Sequence, residues 1–235
     1  MFINPKKILL VSNLLEILDF NMSNELLEKL VDKSLTKLQL LEKVKHNSEL
    51  LPEVVDGVNS TKAAVRYGCG KVLIDLSEEQ PKKLYPYFDF FVKLLNSKYR
   101  ILTWQSMAII ANLTRVDTDK KFDLIFNKYY SFINSEYMVT VANLVGHSGK
   151  IAQSKPSLVP MITDELLKVN QLKTTPHLTD ECKKVIAESA ISSFDMFFDR
   201  VENKERVFSF VKKHVDSSRK ILKIKAKKFL SKWNN

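Results

Sequence analysis

Apolar residues recur along this chain at helical spacing, in segments parted by short polar pairs. After Asn59-Ser60, the positions Val65, Gly68, Cys69, Val72, Leu73 and Leu76 fall at i, i+3, i+4, i+7, i+8 and i+11. That is the period of one face of an α-helix. After Asn96-Ser97 come Ile101, Leu102, Met107, Ala108, Ile109, Ile110 and Leu113. After Asn134-Ser135 come Met138, Val139, Val141, Ala142, Leu144, Val145 and Ile151. These two segments are apolar on nearly all sides, as the interior helices of a stack would be. The pattern predicts twelve helices, over 5–19, 24–45, 48–58, 61–76, 82–95, 98–114, 119–133, 136–152, 157–169, 180–198, 203–214 and 218–233. It predicts no strand.

The polar pairs themselves repeat. Asn59, Asn96 and Asn134 are 37 and 38 residues apart, and 38 residues before Asn59 stands Asn21. From Asn134 to Asp216 is 82 residues, two repeats with an insertion around Asn170 and Thr174–Thr179, with Pro176 in its middle. Asn, Asp and Ser accept hydrogen bonds from the free N–H groups of a helix's first turn. Each pair therefore ends one helix and starts the next. Pro52, Pro86 and Pro160 precede Asn59, Asn96 and Asn170 by seven, ten and ten residues. Proline fits a helix's first turn, where its missing N–H costs nothing. Each unit reads as a Pro-led helix, a tight turn and a second helix.

Leu51-Pro52, Asn59, Val65-Arg66, Gly68-Cys69 and Val72-Leu73 together resemble a HEAT repeat. The other units follow the pattern less closely, with Leu102-Thr103 and Thr140-Val141 at the Val-Arg position. Armadillo repeats, with three helices each, are the near neighbour and fit less well. The resemblance implies an all-α fold, a right-handed α-α superhelix of about five to six antiparallel helix pairs. The resemblance spans most of residues 48–233, and the expectation is one repeat domain over 1–235: an N-terminal capping pair at 1–46, central repeats at 47–202 and a basic C-terminal capping pair at 203–235. It also implies that the second helices line a concave surface that grips another macromolecule.

Charge narrows the choice of partner. The formal net charge is +10, but residues 203–235 hold eleven basic and two acidic residues, leaving +1 for residues 1–202. A protein tracking a nucleic-acid backbone along its length spreads positive charge more widely. The polar residues that break the second helices are Lys62, Arg66, Thr103, Ser106, Thr140, Asn143, His147, Lys184 and Glu188. Aligned, they form a mixed stripe better suited to a protein partner than to phosphate. The basic set Arg219, Lys220, Lys223, Lys225, Lys227 and Lys228 surrounds Leu222, Ala226, Phe229, Leu230 and Trp233. The apolar residues dock that helix. The basic ones face away, as a solvated cap or as a site for an acidic protein, anionic lipid or nucleic acid.

Little else in the sequence carries chemistry. No phosphate-binding glycine loop, H-E-x-x-H or C-x-x-C motif occurs, and His46, His147, His177 and His214 have no metal-ligand spacing to Cys69 or Cys182. Gly68-Cys69-Gly70 lies mid-helix, where small residues admit a close neighbour. The clusters Tyr85, Tyr87, Phe88, Phe90, Phe91 and Phe194, Met196, Phe197, Phe198 read as core. The N-terminal run Ile8-Leu9-Leu10-Val11 is interrupted by Asn13, Glu16 and Asp19, which reads as an amphipathic helix and not a signal peptide. Two isolated cysteines fit a reducing compartment. The expectation is a cytoplasmic, monomeric, non-enzymatic scaffold that binds another protein, without cofactor, metal or membrane span. The alternatives are a nucleic-acid or anionic-surface binder acting through the C-terminal helices and, by resemblance to HEAT-like alkylpurine DNA glycosylases, an enzyme. Those glycosylases carry a Trp/Asp/Arg constellation. This chain has only Trp104 and Trp233, and no paired Trp-Asp motif.

Overall fold

The computed structural model describes residues 26–233. Among them lie the α-helices α1 (Lys37–His46), α2 (Leu51–Asp56), α3 (Ala63–Glu79), α4 (Pro81–Leu84), α5 (Phe88–Leu94), α6 (Arg100–Leu113) and α7 (Lys121–Tyr130). They continue with α8 (Met138–Ser154), α9 (Val159–Leu167), α10 (Asp180–Asp195), α11 (Lys204–Lys212) and α12 (Lys220–Trp233). Short 3-10 turns join many of them. The only extended pairing among the described residues is a bridge between Thr175 and Leu178, inside the insertion expected around Pro176. The fold class is therefore all-α, as the periodicity predicts. The expected helix over 5–19 lies outside the described residues.

Two expected helices are broken. The segment 24–45 is interrupted at Lys33, whose φ of 65° is left-handed. Asp32 accepts hydrogen bonds there from the Ser34 N–H and hydroxyl. Thr36 and Gln39 then restart the chain as α1 through a reciprocal capping box. The segment 82–95 is two helices parted by the 3-10 turn Tyr85–Tyr87, which contains Pro86. The helix start is set by Pro81, one turn earlier. Proline removes the N–H that would have bonded back to the preceding turn.

The hinges between paired helices are built by serine. Oγ of Ser60, Ser97, Ser135 and Ser217 accepts from the backbone N–H two residues on, at 3.1–3.2 Å in all four. Asn59 instead donates to Asp56 within its own turn. The asparagines mark the hinges in sequence, whereas the serine side chains shape them.

The chain divides into two compact units, one ending at Leu76 and one starting at Ser77. In the first, Leu40, Val44, Val54, Val58, Cys69, Val72 and Leu73 form the core. Gly57 and Cys69 meet so closely that a Cβ on Gly57 would lie 2.5 Å from the cysteine Sγ. The small residues of this segment permit that approach.

In the second unit the repeat is plain. α6 packs on α8, α8 on α10 and α10 on α12, giving a layer of second helices, while α9 and α11 meet among the first helices. Interior α6 is buried on nearly all sides from Leu102 to Leu113. Gly149 of α8 lies so close to Ser193 of α10 that a Cβ would sit 3.2 Å from that residue's backbone. Polar bonds stitch the layer at the C-terminal ends of the second helices. Arg115 donates to the Ser77 and Glu78 carbonyls. Lys155 donates to the Asp117 carbonyl, and Arg200 to that of Gln153. The Ser77, Glu78 and Gln153 carbonyls lie in the last turns of their helices, where intrahelical partners run out, and that of Asp117 lies just beyond its helix. At the far end, Phe198 gathers Phe208, Phe229 and Trp233 at centroid distances of 4.9–5.1 Å.

Candidate functional site

The nine residues expected to form a polar stripe do not share one surface. Thr103, Ser106 and Thr140 are buried between helices. Ser106 donates to the Phe91 carbonyl, and Thr140 accepts from Trp104 Nε1 at 3.0 Å. Arg66, only 5% exposed, turns its guanidinium back onto the Ser60 and Thr61 carbonyls of its own hinge at 2.7 and 3.0 Å. These four are corrected from surface to interior. A hydroxyl can satisfy itself on a nearby carbonyl, so it does not compel exposure as a charge does.

The other five keep contact with solvent. Lys62 pairs with Glu28 at 2.6 Å. Asn143 donates to the Val139 carbonyl one turn back. Lys184 bonds Glu181 and the Ser218 hydroxyl. His147 is half-buried, and burial, reinforced by the Lys150 charge, pushes its imidazole down to about 4. It is neutral near pH 7. Lys150 itself bonds Glu78 and Asn112, so this corner is a closed polar cluster.

Glu188 belongs to a different device. Along α10, Glu181, Glu188 and Asp195 stand seven residues apart. Arg219 bonds Glu181 and Glu188 at 3.1 and 3.0 Å, Lys225 lies 3.4 Å from Glu188, and Lys232 lies 2.8 Å from Asp195. Trp233 Nε1 also donates to Asp195 at 2.7 Å. Much of the basic C-terminal set thus zips α12 onto α10. Lys223 reaches Asp216 at 3.6 Å. Lys220, Lys227 and Lys228 remain exposed.

The register between α10 and α12 places one of those lysines. Matching the buried pairs Ile186/Leu222 and Ala190/Ala226 sets a 36-residue register between α10 and α12. In it, buried Ala187 and Ile191 correspond to Lys223 and exposed Lys227. On α12 charge thus stands at the register where α10 presents an apolar seat to its neighbour.

A second surface feature includes Ile101 and Val139, which the sequence pattern puts on apolar helix faces, and Ile221, which it does not single out. Ile101, Val139 and Ile221 are 39%, 40% and 50% exposed. Each stands four residues after a hinge serine, Ser97, Ser135 and Ser217. They therefore occupy one register position on α6, α8 and α12, with half-buried Val185 on the intervening α10. Half-buried Trp104 sits one turn further along α6, and Ile224 along α12 is 42% exposed. At the same edge Tyr137 lies between the Arg100 guanidinium, 4.1 Å from its centroid, and the stacked His177 ring at 4.9 Å. Met196, expected in the core, is 37% exposed. The signal for this row was available: serine plus four is β-branched and aliphatic after Ser97, Ser135 and Ser217, though it is Ala64 after Ser60.

The remaining candidates are structural. Cys69 is buried, and that burial, with Glu53 nearby, pushes its thiol up to about 12. His214 bonds Asn170 at 3.1 Å. Among the described residues no group of three or more His, Cys, Asp or Glu side chains is placed to hold a metal ion. No described helix is long and apolar enough to cross a membrane.

No family model and no curated protein matches the chain. Solved structures do. A designed armadillo repeat protein, 18% identical, superposes with a TM-score of 0.56 over 87% of this chain and 90% of its own. An engineered protein solved as a structural-genomics target, 15% identical, superposes with a TM-score of 0.54 over 89% of this chain and 87% of its own. The chain thus has the armadillo/HEAT-like helical-repeat fold, a scaffold of stacked helices.

Proposed function

We propose that this chain is a non-enzymatic scaffold that docks another protein along its layer of second helices. The observation that carries the reading is the exposed row Ile101, Val139 and Ile221, held at one register position by the hinge serines. Scattered exposed aliphatics need no explanation, but a contiguous, repeat-phased row is the kind of patch that marks an interaction surface. Trp104 supplies an anchor of the type found at the centre of interfaces. Asn143 retains a side-chain carbonyl for a partner's backbone. Of the polar stripe first expected from sequence, Asn143 stands nearest this surface, one turn from Val139.

The nucleic-acid reading has weaker support. Arg219, Lys225 and Lys232 already have carboxylate partners in the fold. A phosphate-tracking groove would need them free.

A photo-crosslinking amino acid placed in turn at Ile101, Val139 and Ile221 tests the proposal in extract from the source cells. Leu124 on α7, 86% exposed and outside the row, is the control position. The same partner should be captured from all three row positions and not from position 124. Capture that is no more frequent from the row than from position 124 would overturn the proposal.

A further inference from the structure

The row ends at α12, and there its surroundings change sign. The zipper with α10 leaves Lys220, Lys227 and Lys228 exposed beside Ile221 and Ile224. Between α10 and α12 runs a groove of about 440 Å³. Ile191 and Phe229 form its floor, Ser192 and Asp195 one bank, and Lys225, Lys228 and Lys232 the other. Asp195 is already shared by Lys232 and Trp233, and Glu188 by Arg219 and Lys225. The acids of this region are therefore occupied, while Lys228 at the edge of the groove, and Lys220 and Lys227 outside it on the exposed face of α12, have no carboxylate partner among the described residues.

We propose that the exposed face of α12, on which Lys220, Ile221, Ile224, Lys227 and Lys228 fall at i, i+1, i+4, i+7 and i+8, seats an acidic segment of the partner protein, with carboxylates on Lys220 and Lys228 and an aliphatic or aromatic side chain against Ile221 and Ile224. This deepens the docking proposal and rests on it. The charge argument is one of complementarity. Three unpaired ammonium groups around apolar surface disfavour a basic occupant and raise the encounter rate of an acidic one. The apolar contacts give a reason to prefer a protein segment over a bare polyanion. Two isoleucines find nothing to bury against on a phosphate backbone.

The test uses the full chain and an array of peptides in which the spacing of Glu and Leu is varied, read by fluorescence polarisation. Duplices of the same peptides with Gln for Glu, vesicles containing phosphatidylserine, and duplex DNA serve as competing probes. The expected result is binding of Glu–Leu peptides and loss of it in the Gln series. Lys220→Glu with Lys228→Glu should weaken binding by about tenfold or more, at an unchanged melting temperature. Ile101→Asp with Val139→Asp, on α6 and α8 and so away from the α12 face, separates the two proposals. If that variant weakens peptide binding and the lysine reversal does not, the strip stands and the acidic assignment fails. If neither weakens it, both fail. Vesicle or DNA binding in the absence of peptide binding would also overturn the assignment to a protein segment.

Discussion

The ammonium of Lys155 lies 2.7 Å from Asp117 Oδ2, and the two residues stand 38 positions apart, one repeat. The Asp117 side chain is fully buried and that of Lys155 nearly so. Asp117 also accepts from the Tyr85 hydroxyl at 2.6 Å and from the N–H groups of Lys121 and Phe122 at 2.9 Å. Burial alone would raise its carboxyl. The bonds from Lys155, Tyr85 and the two N–H groups outweigh that and hold it below the usual carboxylate value. One acid therefore caps α7, anchors the first helix of its own repeat and receives the cation of the next.

Asp117→Ala should be among the most damaging single changes in the second unit. It leaves a buried ammonium without its main partner, at a cost of about 3–5 kcal/mol. Lys155→Met should cost clearly less, because Asp117 keeps three other donors. Urea unfolding of the two variants checks the order. Equal losses would mean that the ammonium finds sufficient compensation in the neighbouring Asp123 at 3.1 Å.

Two glycines of α8, three residues apart, should respond oppositely to alanine. Gly149 faces Ser193 and Met196 of the adjoining chain, and its new Cβ would meet backbone at 3.2 Å. Overpacking there should destabilise by about 1–3 kcal/mol. Gly146 has nothing within 4 Å of its Cβ position. Gly146→Ala should stabilise by about 0.5–1 kcal/mol, through helix propensity alone. Thermal melts of the two variants test whether α8 and α10 approach as closely as described.

Two groups should tilt the pH profile in opposite directions. Glu53 is partly buried with one carboxylate oxygen unpartnered, and burial pushes it up to about 7 from 4.5. Between those values the folded chain holds a proton that the unfolded chain has released. Its contribution to stability is thus lost as pH rises from 4.5 to 7. His147 is pushed down to about 4 from 6.5. Between those values the unfolded chain binds the proton and the folded chain does not, so stability falls as pH drops from 6.5 to 4. Glu53→Gln should therefore stabilise most above pH 7, and His147→Gln should flatten the acid limb. Melting temperatures across pH 4–8 report both. An unchanged alkaline plateau in Glu53→Gln would show that water satisfies the carboxylate.

Most of the helices and the hinges between them were legible because both are local. A helix is written in the spacing of its apolar residues, and a hinge in the short side chains that bond their own backbone. The positions Ser60, Ser97, Ser135 and Ser217 follow directly from the sequence period. Where a local reading went wrong, a competing local feature was at work, as with Lys33 inside the segment 24–45 and Pro86 inside 82–95.

The site was much less legible. Period alone divides a helix into an apolar and a polar side, but a stacked second helix has neighbours on two sides and a partner beneath. Polarity then ceases to mean exposure. Thr103, Ser106 and Thr140 go inside because their hydroxyls reach carbonyl or indole partners there. Ile101, Val139 and Ile221 stay outside because, among the described residues, no helix covers that register. Likewise, eleven basic residues near the C-terminus could be counted from the sequence, but only the juxtaposition of α10 with α12 separates Arg219, Lys225 and Lys232, spent on Glu181, Glu188 and Asp195, from Lys220, Lys227 and Lys228. Composition and periodicity determined that this chain folds as paired helices. Which charges and which aliphatic groups remain for a partner was decided by contacts between residues a repeat apart, and those depend on how the helices are layered.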